Sequence, residues 1–295
     1  MSPGVVSIGE VLWDLLPSGA QLGGAPANLA TLAAGLGADA ALISRVGADG
    51  LGTQARAQLT ARGVDVSAVS TDPAAPTGTV GVDLDAFGQP RFTIHRPAAW
   101  DFLQASPEAL ERVSRAQAVC FGTLAQRHPT ARDALRALVS AAGASPLILC
   151  DINLRAPFCD PEVIEWSLRA AGTVKLNETE LPFLANLLSL DGDTDAQVRV
   201  LAGAFNLDTV LLTLGAQGCR VWHRGVWFAE PGRPAAVKDT IGAGDSFTAA
   251  FVLGQLLGWP MQDTLRRATE IAAYVCTQSG ATPELPGNLA APFRA

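Results

Sequence analysis

Three segments decide the fold: VVSIG at residues 5–9, PANLATLAAGL at 26–36 and ALISRV at 41–46. The first and third are short apolar runs that are typical of buried strands. The second has a helical pattern, with Pro26 in the first turn, where a missing N–H costs little. A strand, a helix and another strand in this order predict a right-handed crossover between two parallel strands.

The same alternation continues through most of the chain. It predicts further strands at 118–122, 147–151, 174–176 and 209–214, and helices at 130–142, 161–171 and 178–188. Apolar strands that alternate with helices form a mostly parallel sheet that is covered on both faces. With no internal repeat and no flexible linker, residues 1–295 are expected to form a single α/β domain.

One region interrupts this alternation and predicts a β-hairpin. Residues 77–84 and 91–96 alternate in polarity on either side of 85–90, which is rich in turn-forming residues. A hairpin inserted early in an α/β domain can cover a site at the strand ends, so we expect a lid formed by about residues 11–22 and 77–97. The alternative is a hairpin that only extends the sheet.

The composition narrows the classes of partner. Hydrophobic residues make up 48% of the 295 residues, charged residues 17%, and the formal net charge is −7. An acidic surface repels phosphate backbones, so no nucleic-acid partner is expected. The sequence has neither a basic run that would bind an anionic membrane nor an apolar stretch long enough to span one. The five cysteines show no C-x-x-C spacing, and residues 1–4 lack the features of a signal peptide, which favours a cytoplasmic protein with reduced thiols.

The strongest chemical signal is DTIGAGD at residues 239–245, which leads directly into an apolar helix predicted at 246–257. Glycines before a helix let backbone N–H groups converge on an anion, and the helix dipole adds positive charge there. Asp245 in the first turn would stay ionised and accept a proton from an attacking hydroxyl. The alternative is that Asp245 only caps the helix. The motif lacks the third glycine of a dinucleotide fingerprint and the Gly-Lys of a P-loop.

Two further signals lie near the first strand. GGAPAN at residues 23–28 opens a helix; its paired glycines permit close approach of a ligand, and Asn28 can point a donor and an acceptor at a polyol. Asp14 follows the first strand at the edge where open α/β sheets bind ligands, and a carboxylate can accept two sugar hydroxyls. The alternatives are a tight turn with a local hydrogen bond from Asn28, and a surface aspartate.

Two weaker signals follow later strands. Asn177 and Glu180 lie three residues apart on one helical face and can order the water shell of Mg²⁺. The same spacing forms a capping box, and spacing alone favours the cap. Glycines in LTLGAQG at 212–218 can admit a nucleotide, although as an isolated motif this segment is only a turn.

Taken together, these segments resemble the PfkB (ribokinase-like) family of carbohydrate kinases. Residues 23–52 look like its N-terminal signature, 239–245 match its D-T-x-G-A-G-D signature, and 177–180 fit its N-x-x-E motif. Within the family the chain is most similar to fructokinases, through Gly9-Glu10 with Asp14, through 95–99, and through DINLR at 151–155. His95 replaces the usual aromatic residue and Ile152 the usual proline.

The resemblance implies a three-layer α/β/α fold with a mostly parallel central sheet and a small β-hairpin lid. It implies an ATP-dependent kinase in which Asp245 is the general base and the backbone of Gly242, Ala243 and Gly244 forms the anion hole. It implies that the sugar contacts are Asp14, Gly23, Gly24, Asn28, Arg96 and Asn153.

The resemblance also implies the cofactors ATP, Mg²⁺ and K⁺. It places six residues near ATP and the magnesium ion: Arg155, Asn177, Glu180, Thr213, Gly215 and Gly218. Of these, Glu180 would hold the magnesium ion through water. The resemblance places Asp239 and Gly280 at a site for the monovalent cation.

The sequence is compatible with several acceptors of the phosphoryl group. Fructose phosphorylated at its primary hydroxyl is favoured over an acidic sugar such as 2-keto-3-deoxygluconate, because only Arg91 and Arg96 flank the hairpin. Ribose and nucleoside kinases of the same family are further alternatives, as is a non-catalytic sugar- or nucleotide-binding regulator, although an intact Asp245 argues against a pure binder. A hairpin with a free edge also favours pairing with a second copy, hence a homodimer.

Overall fold

A computed structural model describes residues 2–16, 19–84, 90–143 and 146–294. The strands are β1 Gly4–Ile8, β2 Leu12–Leu16, β3 Gly19–Gly23, β4 Asp39–Gly47, β5 Val69–Asp72, β6 Gly78–Leu84, β7 Pro90–Ile94, β8 Ala118–Gly122, β9 Leu147–Asp151, β10 Thr173–Asn177, β11 Thr209–Thr213, β12 Gly218–His223 and β13 Val226–Pro231. The α-helices are α1 Ala25–Gly35, α2 Gly50–Ala61, α3 Pro107–Ser114, α4 Pro129–Ser140, α5 Pro161–Ala170, α6 Glu180–Leu188, α7 Thr194–Phe205, α8 Ala243–Leu256, α9 Met261–Cys276 and α10 Gly287–Ala290. No helix in these ranges is both long enough and apolar enough to cross a lipid bilayer.

The central sheet has nine strands in the order β13-β12-β11-β10-β9-β8-β1-β4-β5. The seven strands from β11 to β5 run parallel, and β12 and β13 add an antiparallel edge. In the register of β1, Val6 lies between Ala41 of β4 and Val119 of β8. The mostly parallel sheet that the alternating pattern predicts is therefore confirmed.

Helices cover both faces of this sheet. One apolar core joins the sheet to helices α3 to α7 and includes Val6, Ile8, Ile43, Phe121, Leu135, Ile164, Leu184 and Leu201. A second core joins the other face to α1, α8 and α9 and includes Val5, Leu29, Leu32, Phe247, Phe251 and Leu265. Successive residues of β1 thus point into different cores, as side chains of a strand must. The three-layer arrangement is confirmed.

A second sheet of four strands has the order β3-β2-β6-β7. The antiparallel pairing of β6 with β7 confirms the predicted hairpin, although its turn at 85–89 lies outside the described residues. Unlike a simple hairpin, β6 also pairs in parallel with β2, which in turn pairs antiparallel with β3. Because β2 follows β1 after a short connection, the second sheet lies beside the carboxyl end of β1.

Asp49 connects the second sheet to the helical layers. Its Oδ1 accepts a hydrogen bond from the N–H of Gly52 at 2.8 Å and thereby caps α2. The N–H of Thr77, just before β6, donates to Asp49 Oδ2 at 2.8 Å, and the Thr77 hydroxyl donates to Oδ1 at 2.6 Å. One carboxylate thus fixes both the start of a helix and the entry to a strand of the second sheet.

Asp49→Ala should destabilise the protein by about 2–3 kcal/mol, because it removes a cap and leaves the buried Thr77 without acceptors. Asp193 is the matched control, since it caps α7 through a single recorded hydrogen bond from the N–H of Ala196 at 2.9 Å. Asp193→Ala should cost about 1 kcal/mol. Urea unfolding of both variants measures the difference, and equal losses would show that the contacts of Thr77 add nothing.

Candidate active site

The start of α8 presents backbone amides that lack partners within the helix, and among them the N–H of Ala243 donates to the carbonyl oxygen of Thr240 at 3.3 Å. The helix begins at Ala243, three residues before the predicted Ser246, so Asp245 lies in its first turn. Its N-cap residue is Gly242, with φ 79°, and no side chain caps it, whereas aspartates cap α2, α5 and α7. Because the first N–H groups of a helix lack intrahelical partners, this end has the open donors and the positive dipole that bind an anion.

Close packing requires one glycine of this segment, Gly242, and a second, Gly244, leaves room for a side chain. A Cβ at Gly242 would overlap the carbonyl oxygen of Ala281, and a Cβ at Gly244 would lie 3.2 Å from Nζ of Lys175. The glycines therefore let the loop at 279–282 and a lysine side chain approach the start of α8. The lysine brings a full positive charge next to the open amides.

Asn28 holds the carboxylate of Asp245. Its Nδ2 donates to Asp245 Oδ2 at 2.8 Å, which joins α1 to α8. Burial raises the pKa of Asp245 to about 6, and the Asp151 carboxylate also raises it, while the bond from Asn28 and the charges of Lys175 and Arg155 lower it. Above about pH 6 the carboxylate is ionised and able to accept a proton.

Lys175 and Asp151 form a buried ion pair that the sequence reasoning did not place in the site. Nζ of Lys175 lies 2.9 and 2.8 Å from the two carboxylate oxygens, and the residues are 5% and 7% exposed. Burial lowers the pKa of Lys175, but the carboxylates of Asp151, Glu180 and Asp245 together raise it above its usual value, so the amine stays charged. A lysine between Val174 and Leu176 in a predicted strand was the signal that could have revealed it.

Glu10 is a second site residue without a role in the sequence reasoning beyond the resemblance. It is 3% exposed and lines the same pocket as Asp245, and its Oε2 has no hydrogen-bond partner in the described part of the chain. Burial raises its pKa to about 7, backbone hydrogen bonds and Arg155 lower it, and Asp245 raises it. Near neutral pH this carboxyl is therefore partly protonated.

Asp14 and the two glycines before α1 lie together. A Cβ at Gly23 would lie 2.6 Å from Asp14 Oδ2, and a Cβ at Gly24, whose φ is 103°, would lie 2.5 Å from the carbonyl oxygen of Glu10. Both glycines are thus needed for packing, and Gly23 leaves the room that the Asp14 carboxylate occupies. Burial raises the pKa of Asp14, and the nearby positive charge of Arg155 opposes this.

The loop after β9 brings two more predicted residues to the pocket. Asn153, with a positive φ of 39°, lines it together with Asp151 and Asp245. Arg155 is exposed and lies close enough to influence the pKa of Asp245. The guanidinium of Arg96, from the end of the second sheet, lies 5.5 Å from the ring centre of Phe158 in this same loop.

Asn177 and Glu180 form the reciprocal cap that their spacing favours. The N–H of Glu180 donates to Asn177 Oδ1 at 2.9 Å, and the N–H of Asn177 donates to Glu180 Oε2 at 2.8 Å. Glu180 Oε1 also accepts from the N–H of Leu154 at 2.9 Å, which joins β10 to the loop after β9. Each carboxylate oxygen keeps a free lone pair, so the pair fits a magnesium ion that retains its waters.

The predicted nucleotide residues lie at neighbouring strand ends. Thr213 is in register with Asn177, and its hydroxyl donates to the carbonyl oxygen of Leu176 at 3.2 Å. Gly215 has φ 53° and lies open to a ligand. A Cβ at Gly218 would overlap the carbonyl oxygen of Glu230, so packing against β13 already explains that glycine.

Asp239 joins the two loops of the predicted cation site. Its Oδ1 accepts from the N–H of Ile241 at 3.0 Å and its Oδ2 from the N–H of Gly280 at 3.1 Å. Both oxygens of this carboxylate accept hydrogen bonds from backbone N–H groups, and each keeps a further lone pair. The carboxylate therefore fits an alkali cation as one of its oxygen ligands.

The sequence and the fold are similar to those of known proteins. The family model described as "pfkB family carbohydrate kinase" matches residues 19–288. Fructokinase from Klebsiella pneumoniae is 33% identical over 95% of this chain and 95% of its own length. A sugar kinase from Pyrococcus horikoshii, solved in complex with ATP, is 28% identical with a TM-score of 0.84 and covers 98% of this chain and 99% of its own.

A further similar structure contains both a sugar and a nucleotide. Fructokinase from Vibrio cholerae O395, with fructose, ADP and a calcium ion bound, is 27% identical with a TM-score of 0.83, and the match covers 100% of this chain and 99% of that one. A double mutant of it was solved with fructose, ADP and a potassium ion. The chain belongs to the pfkB family of carbohydrate kinases.

Glu10→Gln should stabilise the protein at pH 8 relative to wild type, by roughly 1–3 kcal/mol, and much less at pH 5. The raised pKa means that folded Glu10 binds a proton that the unfolded chain releases between about pH 4.5 and about 7. Wild type therefore loses stability over this range as the pH rises, and a neutral amide does not. Urea unfolding at both pH values checks this, and a pH-independent difference would contradict it.

Proposed function

We propose that this protein is a fructokinase that transfers the γ-phosphoryl group of ATP to the primary hydroxyl of fructose, giving fructose 6-phosphate. The observation that carries the proposal is the Asp245 carboxylate, held by Asn28 in the uncapped first turn of α8, in a chain of the pfkB family. The similarity to fructokinases over nearly the whole chain, and to one with bound fructose and ADP, supports fructose as the acceptor.

The sugar would bind between the second sheet and the carboxyl ends of β1 and β9. The Asp14 carboxylate lies next to Gly23, and the charge of Arg155 lowers the pKa values of both Asp14 and Asp245, which supports a shared site for the three residues. We assign the sugar contacts to Asp14, the backbone of Gly23 and Gly24, Asn28, Arg96 and Asn153. The second sheet then acts as a lid that excludes water, so that water does not take the phosphoryl group.

Asp245 would take the proton of the acceptor hydroxyl as its oxygen attacks the γ-phosphorus and the bond to ADP breaks. Negative charge on the transferring group would be met by the N–H groups of Gly242, Ala243 and Gly244 and by the side chain of Arg155. Lys175 adds a fixed positive charge beside Gly244.

The nucleotide would lie along the ends of β10 and β11, near Asn177, Thr213, Gly215 and Gly218. A magnesium ion neutralises phosphate charge when it is bound, and Glu180 would hold it through water. Asp239 and the backbone at Gly280 would hold K⁺, which the potassium-containing relative supports.

Two proposals concern the whole protein. Strand β3 is an edge of the second sheet, and pairing of this edge with a second copy would give a homodimer, which light scattering tests. The five cysteines are free thiols, which supports a reducing cytoplasmic location.

The direct test of the function is ADP release with fructose, glucose, ribose, 2-keto-3-deoxygluconate and adenosine, each with and without K⁺. Fructose should give the highest kcat/KM, and K⁺ should raise the rate. A higher value for any other acceptor would replace fructose, and no sugar-dependent ADP release at all would leave a binding protein.

Asp245→Asn should lower kcat by about a hundredfold to ten thousandfold while ATP still binds, because the amide cannot accept the proton. Asp191→Asn, at an exposed residue outside the pocket, is the matched control and should keep full activity. Steady-state kinetics and nucleotide titration separate the two effects. Turnover of Asp245→Asn near the wild-type rate would remove Asp245 from the role of base.

The kcat of wild type should fall as the pH drops through about 6, because the base takes up a proton. Asn28→Leu removes a hydrogen bond that favours the carboxylate, so it should move this midpoint to higher pH. The measurement is kcat of wild type and Asn28→Leu at saturating fructose from pH 5 to 9. The values above pH 8.5, where Asp245 is ionised in both proteins, serve as the reference. A midpoint that stays in place or moves down would contradict the contact.

A further inference from the structure

Phe158 lies between two arginines from different parts of the fold. The guanidinium carbon of Arg96 is 5.5 Å from the centre of its ring, and that of Arg127 is 4.8 Å away. Arg127 also stacks on Trp100 at 3.8 Å. A guanidinium within about 6 Å of an aromatic centre is attracted to the ring, so Phe158 has two cation–π partners.

Arg127 is the fixed member of this group. Its Nε lies 2.7 Å from Asp101 Oδ1 and its Nη2 2.9 Å from Asp101 Oδ2, and the two side chains are 1% and 2% exposed. Nη2 also donates to the carbonyl oxygen of His95 at 2.9 Å, and Asp101 accepts from the N–H of Ala98 at 2.9 Å. Arg127 thus holds the chain on both sides of Arg96 by hydrogen bonds and presents a rigid face to Phe158.

Arg96 and the loop that carries Phe158 belong to the two sides of the proposed reaction. Arg96 follows β7 of the second sheet, on the side assigned to the sugar. Phe158 lies in the loop that carries Asn153 and Arg155, and the latter is assigned to the transferring phosphoryl group. The ring is therefore a side-chain contact through which an ordered Arg96 orders the phosphate-side loop.

We propose that Phe158 is a positioning residue that couples sugar binding to nucleotide binding. The inference rests on the proposed function, since it takes the assignments of Arg96 and Arg155 from it. A sugar that orders Arg96 fixes the ring against Arg127, and with it the loop at 153–158. The nucleotide then binds to a loop that is already ordered, and the same coupling acts in the other direction.

The test compares Phe158→Leu with wild type. Loss of the ring should raise the KM for fructose by about threefold to tenfold with little change in kcat, since the stacks contribute to binding. It should also reduce the factor by which fructose tightens the binding of a non-hydrolysable ATP analogue, measured by calorimetry. Phe158→Tyr keeps the ring and should restore both values.

Phe205→Leu is the matched control. Phe205 of α7, which is half-buried like Phe158, stacks with Arg169 of α5 at 5.2 Å, so its loss removes a similar contact away from the pocket. Its KM, kcat and coupling factor should equal those of wild type. A change in Phe205→Leu as large as that in Phe158→Leu would mark a general loss of stability and overturn the proposal.

Two other outcomes are decisive. If Phe158→Leu keeps the wild-type coupling factor, or if Phe158→Tyr fails to restore it, Phe158 does not couple the two ligands. The kinetics of wild type test the proposed function separately. If another of the tested acceptors gives a higher kcat/KM than fructose, the fructokinase assignment fails. The coupling factor is then measured with that acceptor.

Discussion

The hydrogen bond from Asn28 to Asp245 is the contact on which the site depends. It joins α1, near the start of the chain, to α8, near its end, and these helices share one apolar core through Leu29, Leu32 and Phe251. Because the two helices pack side by side on the same face of the parallel sheet, both of their N-termini open at the carboxyl edge of the strands. The glycine-rich turns before each helix then meet at one place.

Several carboxylates and one lysine lie close to this contact, with little exposure to solvent. Glu10, Asp151 and Glu180 are buried and Asp245 is half-buried, and the buried Lys175 is paired with Asp151. Burial raises the pKa values of Glu10, Glu180 and Asp245, and a neighbouring carboxylate raises each of them further, so ionising these groups together is electrostatically unfavourable.

Sequence reasoning recovered the parallel sheet and the segments that meet at its edge, because apolar periodicity and glycine-rich turns are local signals. Residues 11–22 were assigned to the lid, but no strands were predicted there, because β2 pairs with the distant β6. Helix α2, whose start depends on the Asp49 cap, was not predicted. Lys175 and Glu10 were not recognised because the burial of a charge depends on partners elsewhere in the chain. Gly218 is the opposite case. It was predicted to lie near the nucleotide, but packing against β13 is enough to require a glycine there.

The parallel pairing of β2 with β6 has a consequence for engineering. The second sheet is assembled from two separate excursions of the chain, one after β1 and one after β5, and neither excursion contains all four strands. Chimeras that transplant this sheet from a relative must therefore exchange both excursions together, since a one-piece graft would leave a foreign strand beside a native one. Sequence changes in either excursion are likewise constrained by the other. Substitutions in the two segments should therefore be correlated among homologues.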